Sequence, residues 1–198
     1  MAKQQVKSER RMGPVGSEVW HAMLDSAQDV LLEEGHASLT SRRVAERLGV
    51  KQRLIYYYFR TMDDLIIDLF RRSNERELAR LKAAAESPKP LREIWDVCIN
   101  TTDARLVSEF MALANRIDGL KKEVIYFIEE SRAIQIRVLQ QAAARTANPS
   151  GLSAASLAII ATSVALSLTR EGQLGVDAGH AEVRSLIEDL INSYEPAG

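Results

Sequence analysis

The stretch RVAERLGVKQRLIYYYF, residues 43–59, decides how the rest of the chain is read. It holds two short helical segments, the first running to about Leu48 and the second over about Gln52 to Tyr58. Gly49 between them can take the left-handed conformation of a tight turn, and Ala45 is small where the two helices must cross. Successive helical positions are rotated by about 100°, so Tyr56, Tyr57 and Tyr58 cannot all face a core. At least one ring must point outward. From residue 41 to 60 six cations, Arg42, Arg43, Arg47, Lys51, Arg53 and Arg60, stand against one carboxylate, Glu46. An outward tyrosine among cations predicts a surface for an anionic partner, against the plainer reading of a solvated charged face.

Upstream, Thr40 can cap the first of these helices. Val19, Trp20, Met23, Leu24, Ala27, Val30 and Leu31 form an apolar stripe at helical spacing, which Gly35 is placed to end. Before it lies a basic polar arm with Lys3, Lys7, Arg10 and Arg11, lacking the apolar run of a secretory signal. Downstream, Leu65, Ile66, Leu69 and Phe70 mark a fourth helix that ends at Ser87 to Pro90. Helices follow around Leu91 to Ile99 and Leu106 to Ile117, with Asp118 and Gly119 as a break. A long one runs from Leu120 to about Arg145, an uncharged one follows the loop Asn148 to Gly151, and a last amphipathic one carries Val183 to Tyr194. Gly172, Gly175 and Gly179 mark the loop before it. No alternating strand pattern is present, and the chain reads as all-α.

Composition agrees. The 198 residues are 46% hydrophobic and 27% charged with only 10 Gly and 5 Pro, which describes a globular helical protein. The net charge of −1 gives no hint of nucleic acid; only the clustering does. Cys98 is the one cysteine, excluding an internal disulfide and pointing to a reducing cytoplasm. The uncharged residues 146–169 are diluted by Ser153, Ser156, Thr162, Ser163 and Ser167, so a small-residue helix is expected there and no membrane span.

No nucleophile elbow, zinc motif or P-loop occurs, and the Gly172, Gly175, Gly179 series lacks a preceding strand. His21, His36 and His180 are scattered, and Asp63/Asp64 and Glu129/Glu130 read as solvent-facing helix carboxylates. No catalytic residue, metal ligand or cofactor is expected, and the chain is read as no enzyme.

The span LTSRRVAERLGVKQRLIYYYFRTMDDL, residues 39–65, resembles the DNA-binding signature of the TetR family of bacterial transcription regulators. Gly35, Thr40, Ala45, Gly49, Val50, Ile55, Tyr56, Phe59 and Leu65 stand at matching spacing over about 50 residues, while the remainder is similar in the order and length of its helices. The resemblance implies a homodimer on a double-stranded DNA operator. Its DNA contacts would come from Thr40, Ser41, Arg42, Lys51, Gln52, Arg53, Tyr57 and Tyr58, with Tyr56 and Phe59 structural. Gln52 suits adenine, and Arg53 suits either guanine or phosphate. Two positions depart from the family: Lys51 cannot serve as a side-chain N-cap, and Met62 stands where a phosphate-contacting Lys is common.

The implied organisation is a flexible basic arm over 1–16, a helix-turn-helix domain over 17–60, a connecting helix over 61–87, and a ligand-binding and dimerisation domain over 88–198. Trp95, Cys98, Phe110, Met111, Ala114, Phe127 and Ile134 can surround a cavity for a small apolar or amphipathic effector, or form a filled core. Thr102, Asn115, Tyr126, Glu130 and Arg137 are candidates for its polar end. The uncharged helix, with Ala154, Ala155, Ala158 and Ala161, and the last helix are expected to form the dimer. The expected function is a repressor released from a palindromic operator by that effector; the alternative is an architectural or cell-division DNA binder without one.

Overall fold

The computed structural model describes residues 14–100, 104–146 and 150–196. Among these are nine α-helices and no strand. Most of the expected basic arm, residues 1–13, lies outside the described residues, as do Thr102, Asn148 and Pro149. The chain divides into two compact units, residues 1–69 and 70–198.

In the first unit, α1 spans Glu18–Glu34 and starts where Ser17 Oγ accepts a bond from the Trp20 amide. Met23, Leu24, Ala27, Val30 and Leu31 are fully buried on its inner face. Gly35 ends the helix at φ 79°, and a 3-10 turn, His36–Ser38, leads on. Helix α2, Ser41–Leu48, is capped by Thr40, whose Oγ1 accepts from the Arg43 amide at 3.1 Å. Gly49 is left-handed, with φ 73° and ψ 28°, as the turn requires. Helix α3 is Gln52–Tyr58; its N-cap Lys51 makes no side-chain bond, so the acceptor missing from the sequence is missing in the fold. Ala45 is 2% exposed, and Ser26 Oγ donates to the Val44 carbonyl at 3.1 Å, tying α1 to α2.

Helix α4, Met62–Ala85, contributes residues to both units. Its start is a reciprocal cap: the Asp64 amide donates to Thr61 Oγ1 and the Thr61 amide to the Asp64 carboxylate, each at 3.1 Å. Asp64, expected to be a plain surface acid, therefore closes a helix end.

The second unit continues with α5, Pro90–Ile99, and α6, Ala104–Ala114. Helix α7 is Asp118–Thr146, α8 is Ala154–Gln173 and α9 is His180–Tyr194. Two expectations shift. Asp118 and Gly119 begin α7 rather than break the chain, because an acid at the first helical position favours the helix's positive end. Gly172 lies in the last turn of α8 rather than in a loop. The orphan amides of α5 are met from afar: Leu91 and Arg92 donate to the Glu195 carboxylate at 2.7 and 3.2 Å, while Arg92 pairs with Glu188 on α9.

Helix α8 is long and apolar enough to cross a membrane by length and composition alone. Here Leu157, Ala158, Ala165 and Leu168 bury its inner face in the core of the unit. The alanine face assigned to dimer contact is thus partly consumed inside the chain. On α8 and α9 the large apolar residues left exposed are Ile159, Ile160, Leu166 and Leu186.

Candidate nucleic-acid interface and body cavities

The head has a charged surface that local sequence alone misstates. Arg43 grips Glu34 at 2.7–2.9 Å, and Arg47 grips Glu33 at 2.6–2.7 Å with Asp29 at 3.4 Å. Arg42 pairs with Glu46 at 2.7 Å. The Glu33 and Glu34 carboxyls are held below their ordinary pKa chiefly by the hydrogen bonds from Arg47 and Arg43. Three carboxylates of α1 thus join Glu46, and six cations face four acids. Among the described residues Lys51, Arg53 and Arg60 form no ion pair. All three are exposed, two at the start of α3 and one just past its end. These are the cations available to phosphate.

The tyrosines divide differently from the expectation. Tyr56 and Tyr57 are exposed at 49% and 48%, whereas Tyr58 is buried at 8% and packs edge-on against Tyr57. Tyr58, assigned to DNA, therefore has its ring inside. Phe59 is 1% exposed and stacks with Trp20, as a structural residue should.

Ser41 also departs from its expected role. It is 4% exposed, leaving almost no surface for a phosphate, and its hydroxyl accepts a bond from Gln52 Nε2 at 2.8 Å and lies 2.9 Å from the Tyr56 hydroxyl. Thr40 is exposed with its hydroxyl engaged at the cap, and Arg42 is exposed but paired. Lys51, Gln52, Arg53 and Tyr57 all lie on the open surface.

In the body, the expected ligand residues do not converge on one place. Trp95 and Cys98 line an almost wholly apolar cavity of about 80 Å³ between α5, α7, α8 and α9, with Leu157, Ile187 and Tyr194 among its walls. Phe110, Met111 and Phe127 line a second, of about 60 Å³, with Phe70, Asn74 and Glu77 of α4. Ile134 packs in the core, while Ala114, Glu130, Asn115, Tyr126 and Arg137 line neither cavity.

Sequence reasoning missed Gln135, a buried amide at the first cavity. Its Nε2 donates toward Cys98 Sγ at 3.6 Å, and its Oε1 accepts from Thr162 at 3.2 Å. Four residues before Leu139 on α7, it shares that helix face, and only the expectation that cavity walls are apolar hid it. Burial, with Glu77 as a lesser cause, pushes the Cys98 thiol up to about 11. Among the described residues no group of His, Cys, Asp and Glu is placed to hold a metal.

Residues 23–69 match the family model of bacterial regulatory proteins, tetR family. The match spans most of the first unit, from α1 through the two short helices into α4. A TetR transcription regulator from Haloarcula marismortui has the same fold, with a TM-score of 0.73 at 16% identity over 88% of this chain and 96% of that one. The reduced form of E. coli NemR gives 0.72 at 10% identity over 87% and 96%. A transcriptional regulator from Rhodococcus sp. Rha1 gives 0.67 at 19% identity over 89% and 94%. No curated protein is similar enough in sequence to count as a relative. The chain shares with these neighbours the tetR-type architecture, an N-terminal head matched by the family model and a helical C-terminal body.

Proposed function

We propose that the protein is a cytoplasmic repressor that binds a palindromic operator as a homodimer and releases it on binding a small apolar or amphipathic effector. The observation that carries the DNA half is α3: a short helix after a left-handed glycine turn, with Lys51, Arg53 and Tyr57 exposed and both cations unpaired among the described residues. Such a helix fits a major groove, and two of them on a twofold axis read a palindrome.

The effector half rests on the cavity between α5, α7, α8 and α9. At about 80 Å³ it is far smaller than the roughly 300–1,000 Å³ of ordinary ligand pockets, so an effector of useful size must push its walls apart. Two of those walls are α8 and α9, the helices proposed to pair with their copies through Ile159, Leu166 and Leu186. An effector bound there would favour a dimer of altered spacing, and only such differential affinity can weaken DNA binding.

Purified protein should retard a DNA fragment from upstream of its own gene, and any small molecule that co-purifies with it should release that fragment. Retardation that no bound compound affects would select the effector-free DNA binder instead. Replacing Ile159 and Leu186 together with Glu should leave helical monomers by sedimentation; a double variant still dimeric at low micromolar concentration would remove this interface.

A further inference from the structure

We propose that Ser41, buried at the start of α2, is a positioning residue that fixes the amide of Gln52 on α3, so that Gln52 reads adenine in a preset orientation. This rests on the DNA-binding reading above. Gln52 opens α3 and Tyr56 stands one helical turn later on the same face. Both reach back to one oxygen: Gln52 Nε2 donates to Ser41 Oγ at 2.8 Å, and the Tyr56 hydroxyl lies 2.9 Å from it. Ser41 is 4% exposed, and while its oxygen accepts from Gln52 its own proton can go to the Tyr56 oxygen 2.9 Å away.

The consequence falls on Gln52. One of its two N–H groups is taken by Ser41, which leaves the carbonyl Oε1 and the second N–H for a partner outside. Among the described residues Oε1 has no partner, and the side chain is exposed. A carbonyl beside an N–H is the pair that matches the N6 donor and N7 acceptor of adenine in the major groove. A free glutamine loses rotamer freedom when it docks; one already tied to Ser41 has lost part of it before DNA arrives.

The test uses the full-length protein and a pool of DNA duplexes with a randomised central stretch. Wild-type protein should enrich a motif, and Gln52→Ala should erase an adenine preference at one position of each half-site. Ser41→Ala should erase the preference at that same position by a similar factor, roughly tenfold or more. Added to Gln52→Ala, it should change that position no further. If Ser41→Ala instead weakens every sequence alike and keeps the preference, the inference is overturned, as it is if Gln52→Ala reads DNA like the wild type. Enrichment of no motif by the wild type overturns the DNA-binding reading and this inference with it. Should Ser41→Ala not fold, relaxation of the Gln52 side-chain amide in DNA-free wild-type protein decides. Motion as restricted as the backbone supports the tether, and motion as free as that of exposed Gln140 refutes it.

Discussion

Head and body are both helical, yet they are packed to different standards. In the head Met23, Leu24, Ala27, Val30, Leu31, Val44, Ile55, Leu65 and Leu69 are all completely buried. In the body much of the core, including Leu78, Leu91, Ile94, Trp95 and Ile187, keeps 6–8% of its surface, and two cavities interrupt the packing. The body also exposes Ile125, Tyr126, Ile128, Ile159, Ile160, Leu166 and Leu186. A dense core resists deformation, because every side chain already occupies a filled site. On the proposed function, stiffness suits a head that presents a recognition surface, and room suits a body that takes up an effector.

The largest effect that can break this contrast is on stability. Leu24→Ala should cost about 2–5 kcal/mol, since it empties a fully packed site. Leu190→Ala, half-buried at the edge of the first cavity, should cost about 1 kcal/mol. Urea unfolding of the two variants checks this, and equal costs would abolish the distinction. Next comes DNA binding, where Arg53→Ala should cost about 1–3 kcal/mol and relax one base position if its contact is bidentate. A uniform loss with a lower salt slope would reassign Arg53 to phosphate. Tyr57→Phe should weaken all sequences alike, if its hydroxyl meets the backbone.

The smallest effect concerns Cys98. With the thiol pushed from 9.0 to about 11, roughly 100-fold less thiolate is present at pH 8 than for a free cysteine, so alkylation should be slow. Because its folded pKa is raised, the stability it contributes is complete below pH 9 and declines as pH rises toward 11. Rapid alkylation of native protein at pH 8 would mean that the cavity opens readily, sharpening the picture of a loose body.

What could be read from the sequence was what local chemistry determines. Thr40, Gly49 and the missing cap at Lys51 act within a few residues of themselves, so α2, the turn and α3 were legible to the residue. The charge balance was not, because Asp29, Glu33 and Glu34 approach Arg43 and Arg47 only once α1 crosses α2. Helical periodicity showed that one tyrosine must face out, but the rotation of α3 against its neighbours chose Tyr56 and Tyr57 and buried Tyr58. In the body a stripe reading joined Trp95 and Cys98 to Phe110, Met111 and Phe127. The long helix α7 separates them, with Gln135 and Leu139 at one cavity and Phe127 at the other.

On the proposed function, a ligand held by the body loosens the head's hold on DNA. Native mass spectrometry of the purified protein identifies any co-purified compound, and fluorescence anisotropy then measures the affinity for the selected DNA with and without a saturating amount of it. Binding should be weaker with the compound present, by about 1–3 kcal/mol of coupling. Unchanged affinity under saturation would contradict it.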